Sequence, residues 1–399
     1  MSTLPLDDRT RELVKATAPI LLEHGETITR CFYNRMLSKH PELKRYFNQT
    51  HQQSGAQAKA LAYSVFCYAN HINELDKLGG LVEQIVTKHV SLDILPEHYP
   101  IVGENLIAAI IEVLGDAFTP ELQDAWVKAY GFLADLLIGL EEQEYAKHEA
   151  QTGGWRGLRD FDVVKIEDES SLIRSFYLRP SDEQPLMRFI PGQYIGIQTQ
   201  VNGRVISRNY SLSDSPNQDY YRISVKKEGD GEFSNFLHQQ VEVGHKLQLT
   251  APTGAFTLTA GNAPVVLLTA GVGLTPAISM VNACVESGRE VRFIHAAQNA
   301  QVHGFRTHID DLAAKHTNLR RCYVYEQDDN ATLPADYQGR VTQEILTAQL
   351  PEGEFELYIL GPTGFMQQML DYAKALNVPT NKVHYESFGP LQNLCPVAH

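Results

Sequence analysis

His89 lies four residues after Ile85 and three after Val86, on an apolar stripe that begins at Leu81, so it faces inward near a helix end. A buried imidazole serves either as a hydrogen-bonded core residue or as the ligand of a metal such as a haem iron, and the spacing alone leaves both open. Gln57 is a second polar residue on an apolar stripe, the one formed with Leu61, Val65 and Tyr68. Tyr33 shares a helix face with Thr29 and Leu37, and Phe47 ends the segment that starts at Pro41. Glu141 falls on the inward face set by Leu137 and Ile138. It also belongs to the charged run Glu141–Glu144, which fits a solvated face equally well. Burying a carboxylate is costly unless it is paired, so an inward Glu141 needs a partner.

A second group of residues fits phosphate and flavin chemistry. Residues 263–276 read as a buried strand, a tight turn holding Gly271, Val272 and Gly273, and then Leu274, Thr275 as helix N-cap and Pro276 as first helical residue. Glycines there let backbone N–H groups approach a pyrophosphate, whose charge the helix start favours; a purely structural turn is the alternative. Upstream, Arg208, Asn209, Tyr210 and Ser211 lie together in a strand, preceded by Tyr194. An Arg clamps phosphate, a Tyr stacks on an isoalloxazine and a Ser hydrogen-bonds a flavin ring. Ser234 is read as the cap of a helix whose start would face the flavin diphosphate. Gly361 and Pro362 form a second loop at a strand end, the edge where open α/β sheets bind ligands.

Three kinds of element must position these groups. Up to about residue 148, apolar residues recur at spacings of three and four with no strand signal, broken at Gly25, Pro41, 48–55, Gly79-Gly80, Pro96 and Thr119-Pro120. That gives six or seven helices. Five short alternating strands follow between 155 and 258, as in a small antiparallel barrel, and then strands alternate with helices, as in a parallel sheet. The expected boundaries are 1–148 for the helical domain, 149–155 for a linker, 156–260 for the barrel and 261–399 for the parallel-sheet domain. The chain has 399 residues, more than the roughly 250–300 at which one core stops growing. A net charge of −14 disfavours nucleic acid. The polar start lacks a signal-peptide pattern, and no apolar run reaches about 18 residues, so the cytoplasm is expected. The five cysteines include no C-x-x-C pair and are expected to be thiols.

The motifs of the C-terminal two thirds resemble the ferredoxin–NADP reductase-type superfamily. That resemblance implies FAD on the barrel, near Tyr194, Arg208, Tyr210, Ser211 and Ser234, and nicotinamide binding by Gly271–Pro276 and Gly361–Met366. It also implies that Phe388, within Glu386, Ser387, Phe388, Gly389 and Pro390, covers the flavin ring; some relatives carry Cys where this chain has Ser387. Phe47, Gln57 and His89 follow the chain order of a globin's ring-contacting aromatic, distal polar group and proximal ligand. With the downstream reductase, the whole chain resembles the flavohaemoglobins.

This second resemblance implies one haem b and one FAD, with NADH as electron donor and NADPH as the alternative. It implies that Tyr99 and Glu141 meet the far side of His89, which makes the ligand more basic, and that Tyr33, backed by Gln57, donates a hydrogen bond to bound dioxygen. Lys88 and Glu386 match positions where the domains meet; for each, a plain surface charge is the other reading. The implied activity is nitric oxide dioxygenation to nitrate, with nitric oxide, dioxygen and NAD(P)H as the small-molecule partners. The rivals are a general NADH-dependent reductase and a haem gas sensor or oxygen store. The stretch His295–Asn299 carries no Arg to grip a 2′-phosphate, which favours NADH.

Overall fold

The computed structural model describes residues 6–48, 52, 54–327 and 332–389. Among the described residues six α-helices come first: α1 (Asp8–Ala16), α2 (Ala18–Lys39), α3 (Ala56–Asn70), α4 (Gly79–Ser91), α5 (His98–Leu114) and α6 (Pro120–Glu149). Gly25 does not break α2, although it was expected to. It lies where α2 crosses α3, and a Cβ there would sit 3.2 Å from Ala62 Cβ. The small residue lets the helices approach closely, and Thr29 then donates to Ala58 O at 2.8 Å across the crossing. Tyr33 is one turn beyond Thr29 and Gln57 is next to Ala58, so this crossing brings the two polar residues together. Thr119 caps α6 through Leu122 N, with Pro120 in its first turn. Trp126 donates to Thr17 at 3.2 Å and ties α6 to the α1–α2 joint. From there α6 runs inward past Leu137 to Glu141, which is only 2% exposed.

The antiparallel strands are β1 (Arg159–Asp168), β2 (Ile173–Pro180), β3 (Tyr194–Val201), β4 (Arg204–Ser211), β5 (Tyr221–Lys226) and β6 (Lys246–Leu249), with α7 (Glu232–Gln240) between the last two. Their order is β4-β3-β6-β1-β2-β5, and a bridge from Leu212 to Ile223 brings the two ends together as a barrel. The short β6 was not foreseen. Trp155, expected in the linker, donates to Leu249 O at 3.0 Å and pins the chain against the barrel wall.

The last region holds β7 (Val265–Ala270), α8 (Leu274–Ser287), β8 (Val291–Ala297), α9 (Arg306–Lys315), β9 (Leu319–Tyr325), β10 (Tyr337–Gln338), α10 (Gln343–Gln349), β11 (Glu356–Leu360), α11 (Thr363–Ala375) and β12 (Val383–Glu386). The sheet is parallel in the order β10-β9-β8-β7-β11-β12. The chain leaves β7 towards β8 and later returns to its other side as β11, which creates the crevice at which such sheets bind ligands. Val265–Leu268 and Leu357–Leu360 are fully buried, as strands covered on both faces must be.

Cys31, Cys284 and Cys322 are free thiols. Cys395 lies outside the described residues. No helix among the described residues is long and apolar enough to cross a membrane.

Candidate functional site

Three helices converge on His89. It stands in the last turn of α4, with Nδ1 2.7 Å from Glu141 Oε1 on α6 and 3.0 Å from the Tyr99 hydroxyl on α5. The Tyr99 hydroxyl in turn donates to the same carboxylate oxygen. Tyr130 holds Tyr99 in place by donating to its carbonyl at 2.7 Å. Burial and the adjacent Glu141 push the Tyr99 phenol far up, so it is a neutral donor. The carboxylate therefore accepts two hydrogen bonds, which makes its burial tolerable. It also assigns the proton of neutral His89 to Nδ1 and leaves Nε2, which has no hydrogen bond among the described residues, as an open metal-ligand lone pair.

Tyr33 is 6% exposed, and its ring meets Phe47 edge-on with centroids 5.4 Å apart. Its hydroxyl is hydrogen-bonded to Gln57, and burial raises its pKa far above the usual value, so it too stays a neutral donor. Ile94, Tyr130 and Leu133 pack against both the core that holds Tyr33 and the core that holds Tyr99. They are only partly buried, as are Phe47, Leu61 and Val65. Partly buried apolar side chains that join the core around Tyr33 to the core around Tyr99, the partner of His89, fit a flat, apolar macrocycle with one axial protein ligand.

On the barrel, register divides the Arg208–Ser211 motif into two faces. Tyr194 pairs with Ser211, Ile195 with Tyr210, Gly196 with Asn209 and Ile197 with Arg208. Residues directly opposite share a face, and successive residues alternate. Arg208 and Tyr210 thus point with Ile195 and Ile197, where Tyr210 stacks on Phe233 at 5.9 Å. Asn209 and Ser211 point with Tyr194, and the Asn209 amide donates to Ser91 of α4 at 2.7 Å. Arg208 donates to Ser207 O at 2.7 Å and forms no ion pair among the described residues, although burial lowers its pKa. A half-buried guanidinium with no carboxylate partner fits an anionic ligand such as a diphosphate. Ser234 is not the N-cap of α7 as expected: Gly231 holds that position, and Ser234 sits in the first turn, donating to Gly231 O at 3.1 Å.

In the crevice, Gly271 has φ +54°. At Gly273 a Cβ would lie 2.6 Å from the Leu360 carbonyl and 2.7 Å from Gly361 N, so the two loops touch through their backbones. Thr275 is not the N-cap of α8 as expected. Gly271–Gly273 form a 3₁₀ turn, Gly273 caps, Leu274 starts the helix, and Thr275 donates to Val272 O at 3.1 Å, with Pro276 next in the first turn. Gly361 ends the turn after β11, and Pro362 is the N-cap of α11.

Lys88 Nζ lies 5.8 Å from the Tyr194 ring centroid. Lys88 is exposed, and desolvation lowers its pKa against the opposing pull of Glu386. Glu386, the last residue of β12, is half-buried, and burial pushes its carboxyl up to about 7 against the opposing pull of Lys88. Ser387 is exposed, Phe388 is 46% exposed and Gly389 is half-buried; Pro390 lies outside the described residues.

The globin family model matches residues 30–137, the oxidoreductase FAD-binding domain matches 160–258 and the oxidoreductase NAD-binding domain matches 267–371. The chain is 49% identical over 387 residues to a flavohemoprotein of Pseudomonas putida, covering 96% of this chain and 98% of that protein. The chain belongs to the flavohemoprotein family. A crystal structure of the flavohemoglobin from Malassezia yamatoensis, with bound FAD and heme, superposes with a TM-score of 0.86 at 28% identity, covering 96% of this chain and all of that one. The FAD/NAD-binding domain of nitric oxide dioxygenase from Vibrio cholerae matches with a TM-score of 0.55 at 34% identity, covering 58% of this chain and 99% of that one. This flavohemoprotein is thus an oxidoreductase with FAD- and NAD-binding domains joined to a globin. The contacts of Ser91, Gly196 and Thr250 across the junction were not read from its sequence. Gly196 did carry a signal, because a glycine inside a strand pattern marks close backbone approach.

Proposed function

We propose that this flavohemoprotein is a nitric oxide dioxygenase, consuming nitric oxide, dioxygen and NADH and releasing nitrate in the cytoplasm. The observation that carries the reading is the buried Glu141 carboxylate behind His89 in a chain that also contains its own nicotinamide-driven reductase. An oxygen store needs no electron supply, and a sensor needs an output module, whereas turnover needs a reductant at every cycle. The likeness to the Vibrio cholerae dioxygenase domain supports the same reading.

One haem b, when bound, would supply dioxygen activation, and one FAD would convert two-electron nicotinamide reduction into single-electron delivery. His89 Nε2 would ligate iron, and Glu141, accepting from Nδ1–H, would make the imidazole a stronger electron donor. Tyr33 would direct its O–H at the oxygen ligand, oriented by Gln57, with Phe47 against the ring. Tyr194, Arg208, Tyr210 and Ser211, with Ser234 in the first turn of α7, would hold FAD, and Phe388 would shield it. Asn209, on the same face as Tyr194 and Ser211, would reach the flavin from that side, and its amide also holds Ser91 at the domain junction. Gly271, Val272, Gly273, Leu274, Thr275 and Pro276, with Gly361 and Pro362, would hold the nicotinamide dinucleotide. Lys88 and Glu386, with Ser387, Gly389 and Pro390 following, would flank the flavin where the domains meet. Arg306 is committed to the Tyr325 hydroxyl and to the carbonyls of Leu333 and Pro334, so it is not free to grip a 2′-phosphate; this favours NADH. We also propose the domain limits 1–148, 149–155, 156–260 and 261–399, supported by α6 ending at Glu149 and β1 starting at Arg159.

The test is nitrate formation from nitric oxide under air. One nitric oxide, one dioxygen and one electron give one nitrate, so one NADH should be used for two nitrates. NADH oxidation without nitrate would replace the reading with the general reductase, and a higher kcat/KM for NADPH would overturn the choice of nicotinamide.

A further inference from the structure

Two residues beyond His89, at the end of α4, Ser91 is 1% exposed and receives contacts from three pieces of the barrel. Its hydroxyl donates to Lys88 O at 2.7 Å and accepts from Asn209 Nδ2 on β4 at 2.7 Å. Its carbonyl accepts from Thr250 Oγ1, just after β6, at 3.1 Å, while Thr250 Oγ1 itself accepts from Gly196 N on β3 at 2.9 Å. The last carbonyls of a helix have no partner within the helix, and here one is satisfied by the neighbouring domain. The approach is close enough that a Cβ at Gly196 would lie 1.8 Å from Ser91 O. The Tyr194 hydroxyl is bonded to Thr87 and Ser91 as well.

We propose that Ser91 is a positioning residue that fixes the His89 turn of the globin against the strands of the FAD domain and so sets the separation of the haem and flavin sites. The proposal rests on the cofactor assignments made above. The contacts are directional. The Ser91 hydroxyl hydrogen is used on Lys88 O, so the lone pair faces Asn209. Among the described residues Asn209 Oδ1 has no hydrogen-bond partner, and the amide is held there by Ser91. Removing the Ser91 hydroxyl strands the Asn209 amide and releases the turn that carries His89 on one side and Lys88 on the other. Ordinary domain cohesion does not explain this concentration, because the hydrogen bonds from Asn209 and Thr250 both end on Ser91, two residues after the iron-ligand position and three after Lys88.

The test compares Ser91→Ala, Ser91→Thr and Thr250→Val in the full chain. Two readouts are used: the rate of haem reduction after mixing with NADH, and amide hydrogen exchange over residues 87–94 in chain free of added cofactor. A displacement of about 1 Å between reacting groups costs up to roughly a hundred-fold in rate. Ser91→Ala should therefore slow haem reduction by about ten-fold or more and speed exchange over 87–94, while NADH–ferricyanide turnover stays at the wild-type rate. Ser91→Thr, which keeps the hydroxyl, should restore both. Thr250→Val should weaken the same two readouts in the same direction, and it serves if Ser91→Ala folds poorly. Unchanged exchange and unchanged haem reduction in Ser91→Ala and Thr250→Val would overturn the proposal. If wild-type chain holds both cofactors but NADH never reduces its haem, the functional reading fails instead, and the exchange readout alone decides whether Ser91 fixes the turn.

Discussion

The globin and the nicotinamide-binding sheet prepare their sites in opposite ways. The globin brings side chains from separated helices to one point: His89 from α4, Tyr99 from α5 and Glu141 from α6, with Tyr33 and Gln57 meeting at the α2–α3 crossing. The sheet uses backbone: Gly271–Gly273 press against Leu360 and Gly361, and a missing Cβ is the enabling feature. A site built of side chains fails when a functional group is removed, whereas a site built of backbone fails when an atom is added.

The largest expected effect is on the side-chain site. His89→Ala should abolish stoichiometric haem binding, read as loss of the Soret band, while FAD content stays at the wild-type level. An unchanged Soret band would move the iron ligand elsewhere and break the contrast.

The backbone site has the converse test. Gly273→Ala adds one methyl group 2.6 Å from the Leu360 backbone, which has no flexible side-chain end to yield. Overpacking of this kind costs about 1–3 kcal/mol, and at 1.4 kcal/mol per factor of ten the KM for NADH should rise by roughly ten-fold or more. Haem content should not change. A wild-type KM would mean that the two loops do not need to touch.

These two kinds of site were unequally legible in the sequence. The strand–turn–glycine pattern around Gly271 and Gly273 is local, so its place could be read, though the capping residue was misplaced because a 3₁₀ turn shifts the helix start to Leu274. The pairing of Glu141 with His89 spans 52 positions, and periodicity could only state that each faced inward. Gly25 was misread as a breaker because a glycine at a helix crossing has the same sequence signature as one at a helix end. Ser91 carried no signal, since its role depends on Asn209 and Thr250, which arrive from the barrel.

A smaller effect sharpens the comparison through pH. Near the end of α6, hydrogen bonds from His148 and Lys147 hold Glu144 down to about 2, against an ordinary 4.5. The folded state then binds fewer protons than the unfolded chain, so this stabilisation is present above pH 4.5 and is lost as pH falls towards 2. Glu386 has the opposite sign. Burial raises it to about 7, the folded state binds more protons, and stability present below pH 4.5 is lost as pH rises through 7. Thermal unfolding of cofactor-free chain should show Glu144→Gln flattening the acid side and Glu386→Gln flattening the stretch from pH 4.5 to 7. A profile changed by neither substitution would remove electrostatics from the comparison.

The most direct test of the account is the rate of oxygen dissociation from the reduced haem of Tyr33→Phe. The substitution removes one O–H donor and keeps the ring beside Phe47. A hydrogen bond to a charged partner is worth roughly 1.5–3 kcal/mol, so oxygen should leave about ten- to a hundred-fold faster. Nitric oxide consumption at low oxygen should fall in step, while NADH–ferricyanide turnover is unchanged. If oxygen leaves at the wild-type rate and nitrate formation persists, Tyr33 is a packing residue and the dioxygenase chemistry has been assigned to the wrong group.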